Sequence, residues 1–387
     1  MKIIFVSTGI SKNEDYINGY LGGIEKQILG ISKELSELGH DVFIIRKFNC
    51  PLKSEAFNKI TLINVHSLIN FDDDLRSSLI SAFFSRLLFS KKASEKIDEI
   101  KPDIIFVSEK ISAYFISKLT YWKIFVVHMP PYELIKQNFS INIIERFVYY
   151  FLERFESSFL KRFNGIISLN SSLNQYFLNK GYNSIFIPNG INIEEYNPES
   201  DNHYILYGGR LIPEKGILYL LQAYYELKKN NLINLKLFIV GSGPFEHILR
   251  KYVNFHGLND LVEFTPWLNN FEFKRKIEKC TIFVLPSLFE CMPVSILEAM
   301  ACAKPVIASD IPGPQDVICH GINGYLFEKG NIHDLKKFLL LLDNDNLRKN
   351  IGKNARFTIE KKYAFQLIAK EYSNYLNHLN LLKDDNL

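Results

Sequence analysis

Two glutamates, Glu290 and Glu298, are the only acids in a long apolar stretch around residues 280–308. A carboxylate left unpaired in such surroundings is costly, so each implies hydrogen-bond donors supplied by the protein or by a ligand. Thr281–Pro286 reads as a buried strand and Pro293–Cys302 as a helix, with Pro293 in the first turn, where a missing N–H costs little. Glu290 then falls in the loop at the carboxyl end of a strand, where open α/β sheets bind ligands, and Glu298 inside the following helix. Eight residues advance a helix by about 80° beyond two turns, so the pair would flank one extended ligand rather than act on one atom. The same spacing also fits a helix start with one solvated acid and one buried acid paired to an arginine.

Cations come from a second segment, Tyr207-Gly-Gly-Arg-Leu-Ile-Pro-Glu-Lys-Gly216, which follows a strand and precedes a helix. Arg210 and Lys215 stand where two cations hold a diphosphate and stabilise the charge it develops as a leaving group, with Gly209 letting backbone approach. The alternative is a solvated arginine and a helix-start lysine. A cation near a helix N-terminus is locally unfavourable, however, so Lys215 calls for an anion. Gly241 and Gly243 in Val240-Gly-Ser-Gly-Pro244 form another strand-to-helix turn, and Gly22-Gly23 a third, placed to bring backbone N–H groups to an anion or to serve as plain turns. His128 ends the apolar strand Ile124–Val127; it fits a hydrogen bond to a sugar or phosphate, or a structural role.

The elements that must carry these residues alternate. Lys2–Ser7, Asp41–Arg46, Ile60–Val65, Asp103–Val107, Lys123–Val127 and Gly165–Leu169 are β-branched or aromatic runs separated by helical patterns, which predicts a parallel sheet with crossover helices. The clearest helix starts after Gly23, repeats Ile24, Ile28, Ile31, Leu35 and Leu38, and stops at Gly39. A second series follows at Tyr204–Tyr207, Leu235–Val240, Val262–Phe264, Thr281–Leu285, Pro305–Ala308 and Tyr325–Phe327. At 387 residues two domains are expected. The boundary is placed in Ile187-Pro-Asn-Gly-Ile-Asn, giving domains 1–189 and 190–365. A final helix, 366–387, with helical spacing from Lys361 to Leu382, is expected to pack back on the first domain.

Composition narrows the classes. A net charge of +4 with no long basic block argues against nucleic acid as a partner. Five cysteines, Cys50, Cys280, Cys291, Cys302 and Cys319, form no C-x-x-C pair; four lie in apolar contexts and all read as reduced thiols. The chain opens into a strand and contains no apolar run of about 20 residues, so a cytoplasmic protein without a secretory signal is expected. Asp72-Asp73-Asp74 and Asp343/Asp345 imitate a D-x-D metal pattern but sit in polar stretches, and read as solvated or capping acids. The aromatic and basic stretch 142–164 fits a helix resting on an anionic membrane face or a buried crossover helix. Arg86, Lys91, Lys92 and Lys96 beside Leu87, Leu88 and Phe89 offer a second such contact.

Taken together, the motifs resemble glycosyltransferase family 4, retaining transferases of GT-B fold. They run in the family's order over nearly the whole chain: Gly22-Gly-Ile-Glu, Ile187-Pro-Asn-Gly-Ile, Gly209-Arg-Leu-x-x-x-Lys-Gly, Val240-Gly-x-Gly-Pro, then Pro286-Ser-x-x-Glu290-x7-Glu298 with Lys-Pro-Val-Ile-Ala-Ser and Gly321-Ile-Asn-Gly beyond. The resemblance implies two Rossmann-like domains facing a cleft. It implies that Arg210 and Lys215 bind the diphosphate of a nucleotide sugar, with Gly22-Gly23 approaching it from the first domain. Glu298 would bind the ribose, and Glu290 and His128 the transferred sugar, with backbone around Met292 and Val294 nearby. No cofactor or essential metal is implied; the nucleoside diphosphate sugar is a co-substrate. One departure concerns the sugar: Glu290 is followed by Cys-Met-Pro where many members have Gly-Phe-Gly, and Pro293 removes an amide.

The expected activity is transfer of a hexose to a sugar hydroxyl on a surface glycan or lipid-linked acceptor, at the inner face of the membrane if the basic surfaces touch it. The rivals are a sugar-nucleotide epimerase, which needs no acceptor, and a nucleotide-sugar-binding protein without turnover.

Overall fold

The structure, a computed structural model, describes residues 1–8, 22–48, 55–57, 59–66, 79–134 and 143–384. The chain divides into two compact units. One holds the described residues up to Pro188 together with those from Ala369, and the other is Asn189–Ile368.

The first unit contains strands β1 (Lys2–Ser7), β2 (Asp41–Phe48), β3 (Glu55–Phe57), β4 (Ile60–His66), β5 (Ile104–Val107), β6 (Trp122–Val127), β7 (Gly165–Ser168) and β8 (Ser184–Phe186). They lie in the order β3-β4-β2-β1-β5-β6-β7-β8. Helices α1 (Gly23–Glu37), α2 (Leu79–Ile100), α3 (Ala113–Ile116), α4 (Ile143–Leu160) and α5 (Ser171–Asn179) connect them. The central strands β1 and β5 read as apolar runs because both faces are covered; β5 and β7 are buried throughout. Two strands were not expected. β3 pairs antiparallel with β4, departing from the all-parallel pattern, and β8 is a half-buried triplet too short to show a period.

The second unit contains β9 (Tyr204–Gly208), β10 (Lys236–Val240), β11 (Val262–Thr265), β12 (Ile282–Leu285), β13 (Val306–Ser309) and β14 (Tyr325–Phe327), in the order β11-β10-β9-β12-β13-β14. Its helices are α6 (Ile217–Lys229), α7 (Glu246–Phe255), α8 (Asn270–Lys279), α9 (Val294–Ala301), α10 (Pro314–Val317), α11 (Ile332–Leu341) and α12 (Asp345–Lys362). The strand order reverses between β9 and β12, and in the first unit between β1 and β5. In a doubly wound sheet that crevice is where ligands bind.

The final helix, expected over 366–387, begins at Phe365 and follows directly on α12. α12 stops and α13 (Phe365–Asp384) begins because the residues between them are drawn into backbone pairing: Ile191 N–H donates to Tyr363 O at 2.8 Å and Phe365 N–H to Ile191 O at 3.0 Å. Within the first unit, Tyr372 of α13 meets Phe106 of β5 with ring centroids 5.6 Å apart.

Cys280, Cys291 and Cys302 are buried, as their apolar contexts led one to expect, and Cys319 is exposed; Cys50 lies outside the described residues. Burial pushes the Cys280 thiol up to about 12 and raises Cys302 as well, which keeps both protonated and inert.

Candidate active site

The segments after β9 and β12 meet at the switch point of the second unit. After β9 the chain enters a 3-10 turn, Pro213–Lys215, and Gly216 adopts a left-handed conformation at φ 63° before α6 starts. A Cβ on Gly216 would run into the Pro286 carbonyl oxygen, so backbone angle and close approach both demand glycine there. Leu288 N–H donates to Glu214 O at 2.8 Å, which ties the second loop to the first.

This packing places Lys215 Nζ 2.5 Å from Glu290 Oε1. Ser287, fully buried, donates its hydroxyl to the same oxygen at 2.7 Å. The Lys215 and Glu290 side chains are 17% and 11% exposed, enough for a ligand to reach either. Sequence reasoning gave the two residues separate ligand groups and left Lys215 waiting for an anion; here Glu290 is that anion. Arg210 is exposed, and its carbonyl accepts the Tyr207 hydroxyl at 3.0 Å. Burial and the Glu290 carboxylate push the Tyr207 phenol well above its ordinary range, so it remains a donor.

The glycine turn after β10 braces the same loop. Gly209 N–H donates to Val240 O and Leu211 N–H to Ser242 O, both at 3.0 Å. Gly241 stands at φ 140°, where a Cβ would strike Gly209 O, and a Cβ on Gly243 would strike Leu211 O. Gly209, Gly241 and Gly243 thus hold backbone against backbone around Arg210.

Helix α9 begins at Val294, not at Pro293, which is the residue before the helix at φ −75°, ψ 116°. The amides of Val294 and Ser295 therefore open the helix, where backbone donors and the dipole favour an anion. Glu298, one turn on, is buried, and the Tyr196 hydroxyl donates to its Oε1 at 3.0 Å. Burial and that carboxylate raise the Tyr196 phenol well above its usual range, which keeps its proton in this bond. One partner is thus a tyrosine, which the sequence reading had not supplied. Met292 is turned inward: its carbonyl accepts the Asn189 side-chain amide at 3.0 Å and its Sδ the Asn189 backbone N–H at 3.1 Å.

Gly22, Gly23 and His128 belong to the first unit. Gly22 caps α1 and Gly23 is its first residue, both exposed. His128 follows β6, is half-buried, and is pushed down to about 4 by burial. Its imidazole is neutral at pH 7, a hydrogen-bonding group rather than a cation.

Tyr196, Asn189, Tyr207 and Ser287 escaped sequence reasoning as site residues. Ser287 and Tyr207 stood inside quoted motifs without a role, whereas Tyr196 and Asn189 lay in what read as a hinge. Among the described residues no three His, Cys, Asp or Glu side chains gather as a metal site. Asp345 opens α12 and pairs with Arg348 at 2.9 Å and Lys349 at 2.6 Å, while Asp72-Asp73-Asp74 lies outside the described residues.

Residues 189–358 match the family described as Glycosyl transferases group 1, and residues 21–195 that described as Glycosyltransferase Family 4. An uncharacterized glycosyltransferase of Methanocaldococcus jannaschii is 28% identical over 351 residues, 90% of this chain and 92% of its own. The UDP-Gal:alpha-D-GlcNAc-diphosphoundecaprenol alpha-1,3-galactosyltransferase of Escherichia coli is 30% identical over 186 residues, 44% of this chain and 48% of its own. Sucrose-phosphate synthase from Thermosynechococcus elongatus is similar in fold, with a TM-score of 0.82 at 18% identity over 99% of this chain and 100% of that one.

Proposed function

We propose, from the premise that this chain belongs to the group 1, family 4 glycosyltransferases and has the GT-B fold, that it moves a hexose from a nucleoside diphosphate sugar to a sugar hydroxyl of a surface glycan or lipid-linked acceptor. The observation that carries this reading is Lys215 against Glu290 at the switch point: a cation for a leaving diphosphate beside a carboxylate for a sugar hydroxyl. The Escherichia coli relative, named for a UDP-linked donor and a diphosphoundecaprenol acceptor, supports the choice of substrate classes.

In this mechanism Arg210, Lys215 and the first amides of α9 take the diphosphate, and Gly22 and Gly23 are assigned to it as well. Glu298 takes the ribose, while Glu290 and neutral His128 take the sugar. The bond from C1 to the phosphate oxygen breaks with its electron pair going to the nucleoside diphosphate. The acceptor oxygen bonds to C1 on the same face, and its proton passes to the departing phosphate. Charge on the leaving group is met by Arg210 and Lys215, so the step as written uses no metal or other cofactor.

The test is a panel of UDP, GDP and ADP sugars without acceptor, read as thermal stabilisation and nucleoside diphosphate release. One donor is expected to stabilise the chain and to be hydrolysed slowly. Glu298→Ala should weaken that donor about tenfold or more, the loss of charged hydrogen bonds, and cost about 1–3 kcal/mol of stability by orphaning the Tyr196 hydroxyl. Isomerised nucleotide sugar without release would indicate an epimerase, and unchanged donor affinity in Glu298→Ala would remove the ribose role.

A membrane contact has its own support in the first unit. Phe84 and Leu88 on α2 and Val148 and Phe151 on α4 are exposed at 55%, 43%, 49% and 65%, among exposed Arg86, Lys91, Arg154, Lys161 and Arg162. Phe83 and Phe155, 5.7 Å apart between ring centroids, join the two helices. No described helix is long and apolar enough to cross a membrane. Apolar side chains among cations suit the surface of an anionic bilayer instead. The chain is expected to sediment with phosphatidylglycerol vesicles, to be released by salt, and to lose binding in Phe84→Ser/Phe151→Ser; equal partition to phosphatidylcholine vesicles would refute an anionic surface.

A further inference from the structure

A buried ion pair in the first unit lies beside the loop that His128 begins. Lys110, three residues beyond the end of β5, and Glu156 on α4 are 7% and 5% exposed, with Nζ 3.0 Å from Oε1. Neither was singled out by the sequence. Lys110 Nζ also donates to Pro130 O at 2.5 Å and stands 3.9 Å from the centre of the Tyr132 ring, while Tyr132 N–H donates to Glu156 Oε2 at 3.0 Å. Farther along, Glu133 accepts the Tyr176 hydroxyl at 2.6 Å and pairs with Lys180 at 2.9 Å. The segment leaving β6 is therefore gripped through its backbone at residues 130 and 132 and through its side chain at 133.

Stability alone does not account for such a pair. Taking two charges out of water costs about as much as their attraction returns, and an apolar pair of similar volume often serves equally well. What an apolar pair cannot do is hold the Pro130 carbonyl and the Tyr132 amide at fixed positions. Both groups lie within four residues of His128, whose own N–H reaches only back to Val126 O at 3.2 Å.

We propose that Lys110 and Glu156 are positioning residues that fix the loop after β6 so that His128 is presented to the transferred sugar. The inference rests on the reading of His128 as a sugar contact. Diphosphate binding belongs to other residues, so the clamp acts on turnover and not on nucleoside diphosphate affinity.

The test compares Lys110→Met, Lys110→Met/Glu156→Met and His128→Ala in the full chain, with the donor found in the panel. The single variant, which strands a buried carboxylate, should lose about 5 °C or more in thermal midpoint. The double variant should recover the midpoint yet stay about tenfold down in kcat, with unchanged affinity for nucleoside diphosphate. In a His128→Ala background the double change should cost less than about twofold, because coupled residues are not additive. Full activity of the double variant alongside a damaged His128→Ala enzyme, or a tenfold loss persisting without His128, would overturn the clamp alone. A fully active His128→Ala enzyme would overturn the His128 reading and the clamp with it.

Discussion

Lys215→Ala is expected to lower kcat by about a hundredfold or more and to weaken nucleoside diphosphate binding in the same variant. Loss of one preorganised charge at a developing anion commonly costs this much. The structure makes the expected loss larger than that of a single cation. Glu290, only 11% exposed, now shares its charge with Lys215 at 2.5 Å; without the lysine it becomes an uncompensated anion facing the diphosphate. At about 5 Å and an effective dielectric near 20 that repulsion is on the order of 3 kcal/mol. Two measurements separate the contributions: calorimetry with the nucleoside diphosphate, and kcat with saturating donor. Lys215→Ala/Glu290→Gln should regain part of the affinity, since the repulsion is gone, but not the turnover. Exposed Arg210, free to move toward solvent, should show a smaller loss as Arg210→Ala. Near-normal turnover in Lys215→Ala would take the residue out of the mechanism.

What could be read from the sequence was whatever is local. Apolar runs and the glycines that interrupt them set the strands and the loops at their carboxyl ends, so the parallel α/β class, the loop carrying Arg210 and Lys215 and the loop carrying Glu290 were all legible. Contacts between distant residues were not. Lys215 and Glu290 are 75 positions apart, Tyr196 and Glu298 102, and Asn189 and Met292 103. No periodicity encodes which side chain a loop turns inward. Tyr196 illustrates the difficulty: it lies among acids and asparagines, yet is buried because Glu298 needs a donor. The start of α13 was legible, but what separates it from α12 was not, since Ala364 leaves helix geometry for a bridge to the distant Ile191. Pro293 shows a finer limit. Proline fits both the first helical position and the residue before it, and only the backbone angles decide.

Glu290→Gln separates two roles proposed for one carboxylate, counter-ion to Lys215 and contact to the sugar. Glutamine keeps the shape and an oxygen for the Ser287 hydroxyl, so the loop should stay in place. If the carboxylate serves the sugar, the variant should bind nucleoside diphosphate as well as or better than the parent, because Lys215 is released to the phosphates. Its kcat should nevertheless fall about a hundredfold, equivalent to about 2.7 kcal/mol of transition-state stabilisation. That sum is reasonable for a carboxylate near a sugar carbon that gains positive charge as the phosphate leaves, since the interaction strengthens in the transition state and is weaker in the bound donor. If Glu290 served only to hold Lys215, the pattern would invert: weaker diphosphate binding, with turnover at saturating donor nearly intact. The two outcomes move affinity and kcat in opposite directions, so one titration and one saturating rate decide between them, and the Lys215→Ala result shows whether the lysine depends on the acid or the acid on the lysine.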